Sequence, residues 1–290
     1  MPADAPFVLQ PHLAERVWGG QRFGAGIGEA WDLSTHPNGA SIVADGPFVG
    51  RTLAELVDDD PAAFGGPIDL LAKRLDCAQN LSVQVHPTEG DAKTEAWVVL
   101  GAEPGAGVYL GFRGEPTEHE VRAAAVDGSL ADLLHFVELR EGDAVFVPAG
   151  TVHAIGGGLA LFELQQSSDT TYRLFDWGRT DRDLHLDEAM GCAVLGPPPP
   201  LPTSERLGPG ELRLVQCEHF VIDRLASSSS LPIDPEGRWI AIHGVSGAAS
   251  LGALTIDAGT TAMVPSAAGP LVIEPHGDFV GLRYGPLGTP

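Results

Sequence analysis

Cysteine is nearly missing from this chain: Cys77, Cys192 and Cys217 are its full set. Three scattered thiols cannot build a disulfide framework or a thiolate metal site. Lysine is scarcer still, with Lys73 and Lys93 standing against 15 arginines, so general surface solvation is not done with lysine. Basic residues as a class are short: 17 Lys and Arg face 39 Asp and Glu, a formal charge of −22. That balance argues against nucleic acid and anionic membrane as partners, because phosphate-rich surfaces demand clustered cations. No apolar run approaches the ~20 residues of a membrane span. The opening MPADAPFVLQPHLAERVWGG lacks the basic-then-apolar order of a signal peptide. A soluble protein of the cytoplasm is the expectation.

What the chain has in quantity is turn-forming residues, 37 Gly and 24 Pro in 290 positions. Between them run short alternating apolar segments, the pattern of a mainly β protein. Helical signals are few. The stretch 117–128 opens with a Thr-x-x-Glu capping box, and 129–139 follows with apolar spacing of three and four, which predicts a second helix. Single short helices are expected at 52–57 and 185–190. Four consecutive prolines mark 196–210 as an extended linker, since they can join neither a ladder nor a helix interior. The expected organisation is therefore a domain at 1–195, the linker at 196–210 and a β-domain at 211–290. A weak internal repeat relates the two: 142-GDAVFVPAGTVHA-154 aligns with 259-GTTAMVPSAAGPL-271, with Gly, five residues and Pro in register. Both copies read as one strand–turn–strand unit, but Pro270 stands where the first copy has His153. The 211–290 domain is thus expected to lack a metal site.

The most informative stretch is 81-LSVQVHPTEGDAKTEAWVVL-100. Side chains two apart on a strand share a face, so Ser82, Gln84 and His86 point one way, as do Lys93, Glu95 and Trp97 after the turn. Buried polar groups need partners. If these strands line a barrel, one wall carries hydroxyl, amide, imidazole, ammonium and carboxylate together, and 148-PAGTVHA-154 adds a second imidazole. Two His, one Glu and an amide oxygen suit a divalent metal, with Zn²⁺ favoured and Mn²⁺, Fe²⁺ or Ni²⁺ open. Satisfied polar groups inside a barrel, or the solvent face of an edge hairpin, are the competing explanations. Farther on, 163-ELQQSSDTTYRLFDWGR-179 gathers polar side chains beside Tyr172, Phe175 and Trp177, as a cleft for a polar ligand would; Asp169 and Arg173 lie four apart there and also suit a structural ion pair.

These residues carry a resemblance. Gly-x5-Pro-x-Gly-x2-His from Gly142 to His153 resembles the second cupin motif, and Gln84-x-His86 with Glu95 resembles the first, with Gln for its leading His. LSVQVHP, KTEAW, VPAGTVHAI and QQSSDTTYRLFDWGR, in that order, together resemble the type I mannose-6-phosphate isomerases in their short bacterial form. The likeness begins at 18-WGG-20 and 29-EAWDLSTHPNGAS-41 and covers roughly the first 190 residues.

The resemblance implies two cupin-like jelly-roll β-barrel domains and one Zn²⁺ per chain on Gln84, His86, Glu95 and His153. It implies interconversion of mannose 6-phosphate and fructose 6-phosphate through a cis-enediol, with a small hexose 6-phosphate as the partner. Arg173 is expected to help stabilise developing negative charge, and Lys93 or Asp169 to act as base, an alternative the residues leave open. Like charge from zinc and Arg173 is expected to lower the pKa of Lys93. Ser82 resembles the family's phosphate-contacting serine. Lys73 is expected to add charge nearby or to be a surface charge, and Trp18 to wall the sugar site or simply to pack. The loop 87-PTEGDAKT-94 is shorter than the family's usual one. Competing readings are an isomerase of another phosphosugar and a non-catalytic sugar-binding cupin.

Overall fold

The computed structural model describes residues 3–45 and 48–287. Strands dominate, and among the described residues none of the four α-helices exceeds ten residues or is long and apolar enough to cross a membrane. The chain forms two compact units, one of residues 13–30 and 73–201, the other of 1–12, 31–72 and 202–290.

The first of these is built on two sheets. One has the order Ala144–Val147, Glu95–Ala102, Leu159–Gln166, then residues 73–77, 27–30 and 13–15; the other runs Tyr172–Phe175, Val83–Val85, His153–Ile155, Gly107–Phe112, Leu134–Glu138. The predicted alternation of Val83 and Val85 is realised as an outward apolar face. It packs with Val121, Ala124 and Ala125 of helix Glu118–Asp127, Leu130, and Ala189 of helix Leu186–Cys192. Thr117 starts the longest helix with a complete capping box, its hydroxyl accepting from Glu120 N and its N–H donating to Glu120 Oε2. Helix Leu53–Asp59 has the same device in Thr52 and Glu55.

The second unit also has two sheets. Eight strands run in the order Glu205–Gly208, Glu211–Gln216, Phe220–Ser227, Phe279–Pro286, Ile240–Ser246, Thr261–Val264, Phe7–Gln10, Ile42–Val43; four more form Leu231–Ile233, Leu271–Pro275, Ala248–Leu251, Leu254–Asp257. Their inner faces meet in an apolar core that includes Leu225, Ile242, Ala262 and Val264 from one sheet and Leu251, Ile256 and Ile273 from the other.

Two expectations need correction. Residues 1–195 do not group as one domain: 1–12 and 31–72 belong with the C-terminal strands. Strand Phe7–Gln10 pairs antiparallel with Thr261–Val264, Phe7 opposite Met263, and Leu9 lies opposite Val43. The proline run does contain one crossing between units, at 201/202. Second, the helical spacing over 129–139 yields only Leu130–Leu133; Leu134–Glu138 is a strand, with Tyr109 opposite Phe136 and Val108 opposite Val137. A sheet edge with unpaired backbone groups outweighs a weak local helical preference in a segment carrying Phe and Val.

The internal repeat is present in the backbone. Strands Ala144–Val147 and Thr261–Val264 begin at the same offset from Gly142 and Gly259, and both glycines hold positive φ, 90° and 83°.

The covering helices stabilise the sheet that carries Gln84 and His153. Leu130→Ala, which empties a fully buried site in that layer, should cost about 2–5 kcal/mol of unfolding free energy in denaturant titration.

Candidate metal centre and active site

Gln84 lies at the centre of a row. It is directly opposite His153 on one side and Arg173 on the other, and cross-strand partners point to the same face. His86 follows two residues on. Glu95 comes from the other sheet, where it is the first residue of its strand, opposite Val147 and Gln165. The two halves of the 81–100 stretch therefore do not share one wall. They belong to different sheets and meet across the interior. The loop between them folds back on itself, Lys93 N donating to Pro87 O at 3.3 Å. The Pro-x-Gly turn is fastened to the same place: Gly150, at φ 83°, donates its N–H to His86 O at 3.0 Å. A side chain there would meet Cys192 O and Thr88 Cγ2, both at 2.9 Å, so the turn needs glycine.

The polar atoms converge closely. His86 Nε2 is 3.3 Å from Glu95 Oε2, and His153 Nε2 is 3.2 Å from Glu95 Oε1. All three side chains are buried, and their donor atoms lie within 4.8 Å of one another. His86 Nδ1 donates to Thr170 O and His153 Nδ1 to Thr151 O, each at 2.9 Å. A carbonyl can only accept, so both imidazoles carry their proton on Nδ1 and turn an Nε2 lone pair toward the carboxylate. Gln84 Nε2 donates to His153 Nε2 at 3.2 Å, while Gln84 Oε1 accepts from Ser82 Oγ at 3.1 Å. Half a turn of the amide would exchange those two atoms and present oxygen to the cluster.

Lone pairs pointed at a carboxylate call for a cation. Lys93 Nζ supplies one, 2.7 Å from Glu95 Oε2 and 3.2 Å from His86 Nε2. The distance to Oε2 is short, yet neither oxygen of Glu95 accepts a hydrogen bond of good geometry among the described residues. Burial alone would raise the Glu95 pKa, but Lys93 and the imidazoles outweigh it and hold the carboxyl well below its ordinary range. Burial, then Lys93, pushes His86 down to about 4, and burial lowers His153 as well. Both imidazoles are thus neutral at pH 7, the form that binds metal. Burial would lower Lys93 too, but Glu95 and Glu163 raise it above its ordinary value. The expected lowering rested on the charge of a bound zinc and of Arg173; without an ion the nearest charges are carboxylates, and they set the direction.

The remaining candidates are distributed unevenly. Lys73 is no surface charge: it is buried, with Nζ 3.5 Å from Glu163 Oε1 and 4.0 Å from Glu29 Oε2. Both lysines of the chain are therefore interior. Trp18 is 3% exposed and sits in an apolar cluster with Leu75, Cys77 and Trp97, which is the packing role and leaves no open ring face for a sugar. Asp169 is exposed on the loop between strands Leu159–Gln166 and Tyr172–Phe175. Arg173 Nη1 donates to Asp183 O at 2.8 Å, and its buried Nε makes no hydrogen bond among the described residues. Burial, then the neighbouring Arg182, lowers its pKa from the ordinary arginine value.

Sequence reasoning missed Glu163, which faces Trp97 across the sheet, accepts from Trp97 Nε1 at 3.0 Å and holds Lys73. Its alternation with Gln165 in an apolar strand was the available signal. It also missed buried Asp176, clasped by Arg179 and Arg182 at 2.7 Å each.

Comparison with known proteins shows the family. The family model "Phosphomannose isomerase type I, catalytic domain" matches residues 23–103. A mannose-6-phosphate isomerase of Streptococcus mutans is 39% identical over 219 residues, covering 67% of this chain and 69% of that protein. Mannose-6-phosphate isomerase ManA of Bacillus subtilis is 33% identical over 274 residues, covering 83% and 86%. A crystal structure of the mannose 6-phosphate isomerase from Bacillus subtilis superposes with a TM-score of 0.89 at 27% identity, over 97% of this chain and 99% of that one. The chain belongs to the type I phosphomannose isomerase family, and it is an enzyme of that family.

Proposed function

We propose that the chain is a zinc-dependent aldose–ketose isomerase interconverting mannose 6-phosphate and fructose 6-phosphate through a cis-enediol. The observation that carries this reading is the buried Glu95 carboxylate, without a well-formed hydrogen bond and faced by two imidazole lone pairs. Gln84, His86, Glu95 and His153 would hold one ion per chain, and two nitrogens with two oxygens suit a metal of zinc's softness. When bound, the ion supplies Lewis-acid polarisation of the sugar carbonyl.

The chain's own residues divide the remaining work. A base removes the C2 proton of mannose 6-phosphate and returns it to C1, while a hydroxyl proton passes from O2 to O1. Lys93 is the titratable group beside the cluster that the ion would leave unbound, 3.2 Å from His86 Nε2, and we assign the proton transfers to it. Its raised pKa belongs to its pairing with Glu95, which a cation on that carboxylate would weaken. Arg173 shares the face of Gln84 and His153, and its unengaged Nε is a donor for oxygens that gain charge. Ser82 is assigned to the phosphate. Lys73 contributes less there, since Glu163 and Glu29 already absorb its charge.

A coupled assay with mannose 6-phosphate, with and without chelator, tests the reading; turnover unaffected by complete metal removal would overturn zinc dependence. Purified protein should carry about one divalent ion per chain. His153→Ala should lose it while its circular dichroism stays native.

Lys93→Met should cost ~10²-fold or more in kcat, and Asp169→Asn less. The reverse ranking would assign the base to Asp169. Arg173→Lys keeps the charge but loses the planar fork. It should lower kcat by ~10²-fold with metal content intact; a change in KM alone would make Arg173 a phosphate clamp.

A further inference from the structure

The second unit has a cavity of its own, about 790 Å³, lined wholly by residues between Arg213 and Leu287. That volume lies in the range of small-molecule sites. Its base is a row on the inner face of the eight-stranded sheet. Arg213 is directly opposite Asp223, and Asp223 is directly opposite Arg283. Asp223 is 2% exposed and accepts from Arg213 Nε at 2.9 Å and from Arg283 Nη2 at 2.8 Å. Leu225, two residues on and on the same face, is in the apolar core, so the row stands where that core opens into the cavity.

The internal repeat points to the same spot. Pro270, which occupies the place of His153 in the repeat, lines this cavity. The position that faces the polar cluster in the first copy thus lines the cavity that holds an Arg–Asp–Arg row in the second.

The charges select the class of ligand. Arg213, Arg238 and Arg283 line the cavity, and so do Asp223, Asp234 and Glu236, three of each sign. Arg283 Nη2 also lies 3.2 Å from Glu211, and Arg238 Nη2 lies 3.7 Å from Glu236. An anion would have to displace carboxylates already bound to the guanidiniums and to enter against a formal charge of −22. A cation would meet the arginines. A hydroxyl both donates and accepts, so it suits alternating guanidinium and carboxylate groups. Each guanidinium has five N–H donors, of which Asp223 uses a part. Pro232, Leu271 and Val272 add apolar surface for a C–H face.

We propose that this cavity binds a neutral, hydroxyl-rich small molecule of the hexose or polyol class, at a site separate from the metal centre. The cavity is argued apart from the isomerase reading; only the blocking of the metal centre by mannose 6-phosphate and the activity control rest on that reading, whereas loss of mannitol binding in the cavity variants is read without it.

The probe is D-mannitol, which has no carbonyl to isomerise, observed by saturation-transfer NMR on the full chain. Mannose 6-phosphate at saturation keeps the metal centre occupied. Mannitol should bind under those conditions and should not be displaced by inorganic phosphate. Arg283→Met should weaken binding about tenfold or more, the effect of losing one hydrogen bond from a charged donor. Because that variant uncovers buried Asp223 and could unfold, Val272→Trp provides a second test. It changes a residue 42% exposed at the cavity wall and should abolish mannitol binding with isomerase activity unchanged. The proposal falls if wild-type protein does not bind mannitol, if mannose 6-phosphate or phosphate displaces it, or if either folded variant binds as well as wild type.

Discussion

A carboxylate taken out of water costs several kcal/mol unless positive charge is placed against it, and Glu95 is 1% exposed. Lys93 sits 2.7 Å away, two imidazoles turn their lone pairs toward the same oxygens, and two backbone carbonyls fix the tautomers of those imidazoles. A second carboxylate, Glu163, is buried next along the interior, where Lys73 and the Trp97 indole meet it. The two lysines of the chain are each committed to one of these acids. A surface so acidic has arginine for its exposed ion pairs and keeps lysine for the interior.

The arrangement requires two sheets. Gln84 and His153 are cross-strand neighbours in one, Glu95 and Gln165 in the other, and only their opposition brings imidazole and carboxylate within 3.3 Å. Register matters because a shift of one residue would send Gln84 and His86 to the outer face, where Val83 and Val85 now pack against helices. The helices on that outer layer therefore support the site without touching it. The tie from Gly150 to His86 O joins the two imidazole-bearing segments through backbone, so the imidazoles are positioned by main-chain geometry.

The second unit keeps the strand–turn–strand unit of the repeat and changes what it holds. At its inner face the buried acid is Asp223, and the compensating cations are two guanidiniums whose planar forks satisfy the carboxylate directly. A balanced, hydrogen-bonding cavity is the physical consequence, in contrast with the cluster around Glu95.

Local chemistry was legible in the sequence. Alternation placed Ser82, Gln84 and His86 on one face; a capping box located helix Glu118–Asp127, and a short helix was expected at 52–57, where Leu53–Asp59 stands; and the Gly-x5-Pro spacing located both copies of the repeat. Each of these depends on residues within a dozen positions of one another. What only the tertiary structure decided involves partners far along the chain. Phe7–Gln10 pairs with Thr261–Val264, Leu134–Glu138 becomes a strand because a sheet edge is there to receive it, and Lys73 is buried because Glu163 waits inside. The raised pKa of Lys93 is of the same kind, set by acids that the strand pairing brings to it and that outweigh the lowering effect of burial. Hydrogen-bonding and charge partners across such separations leave no periodic trace in the sequence, whereas side-chain alternation along one strand does.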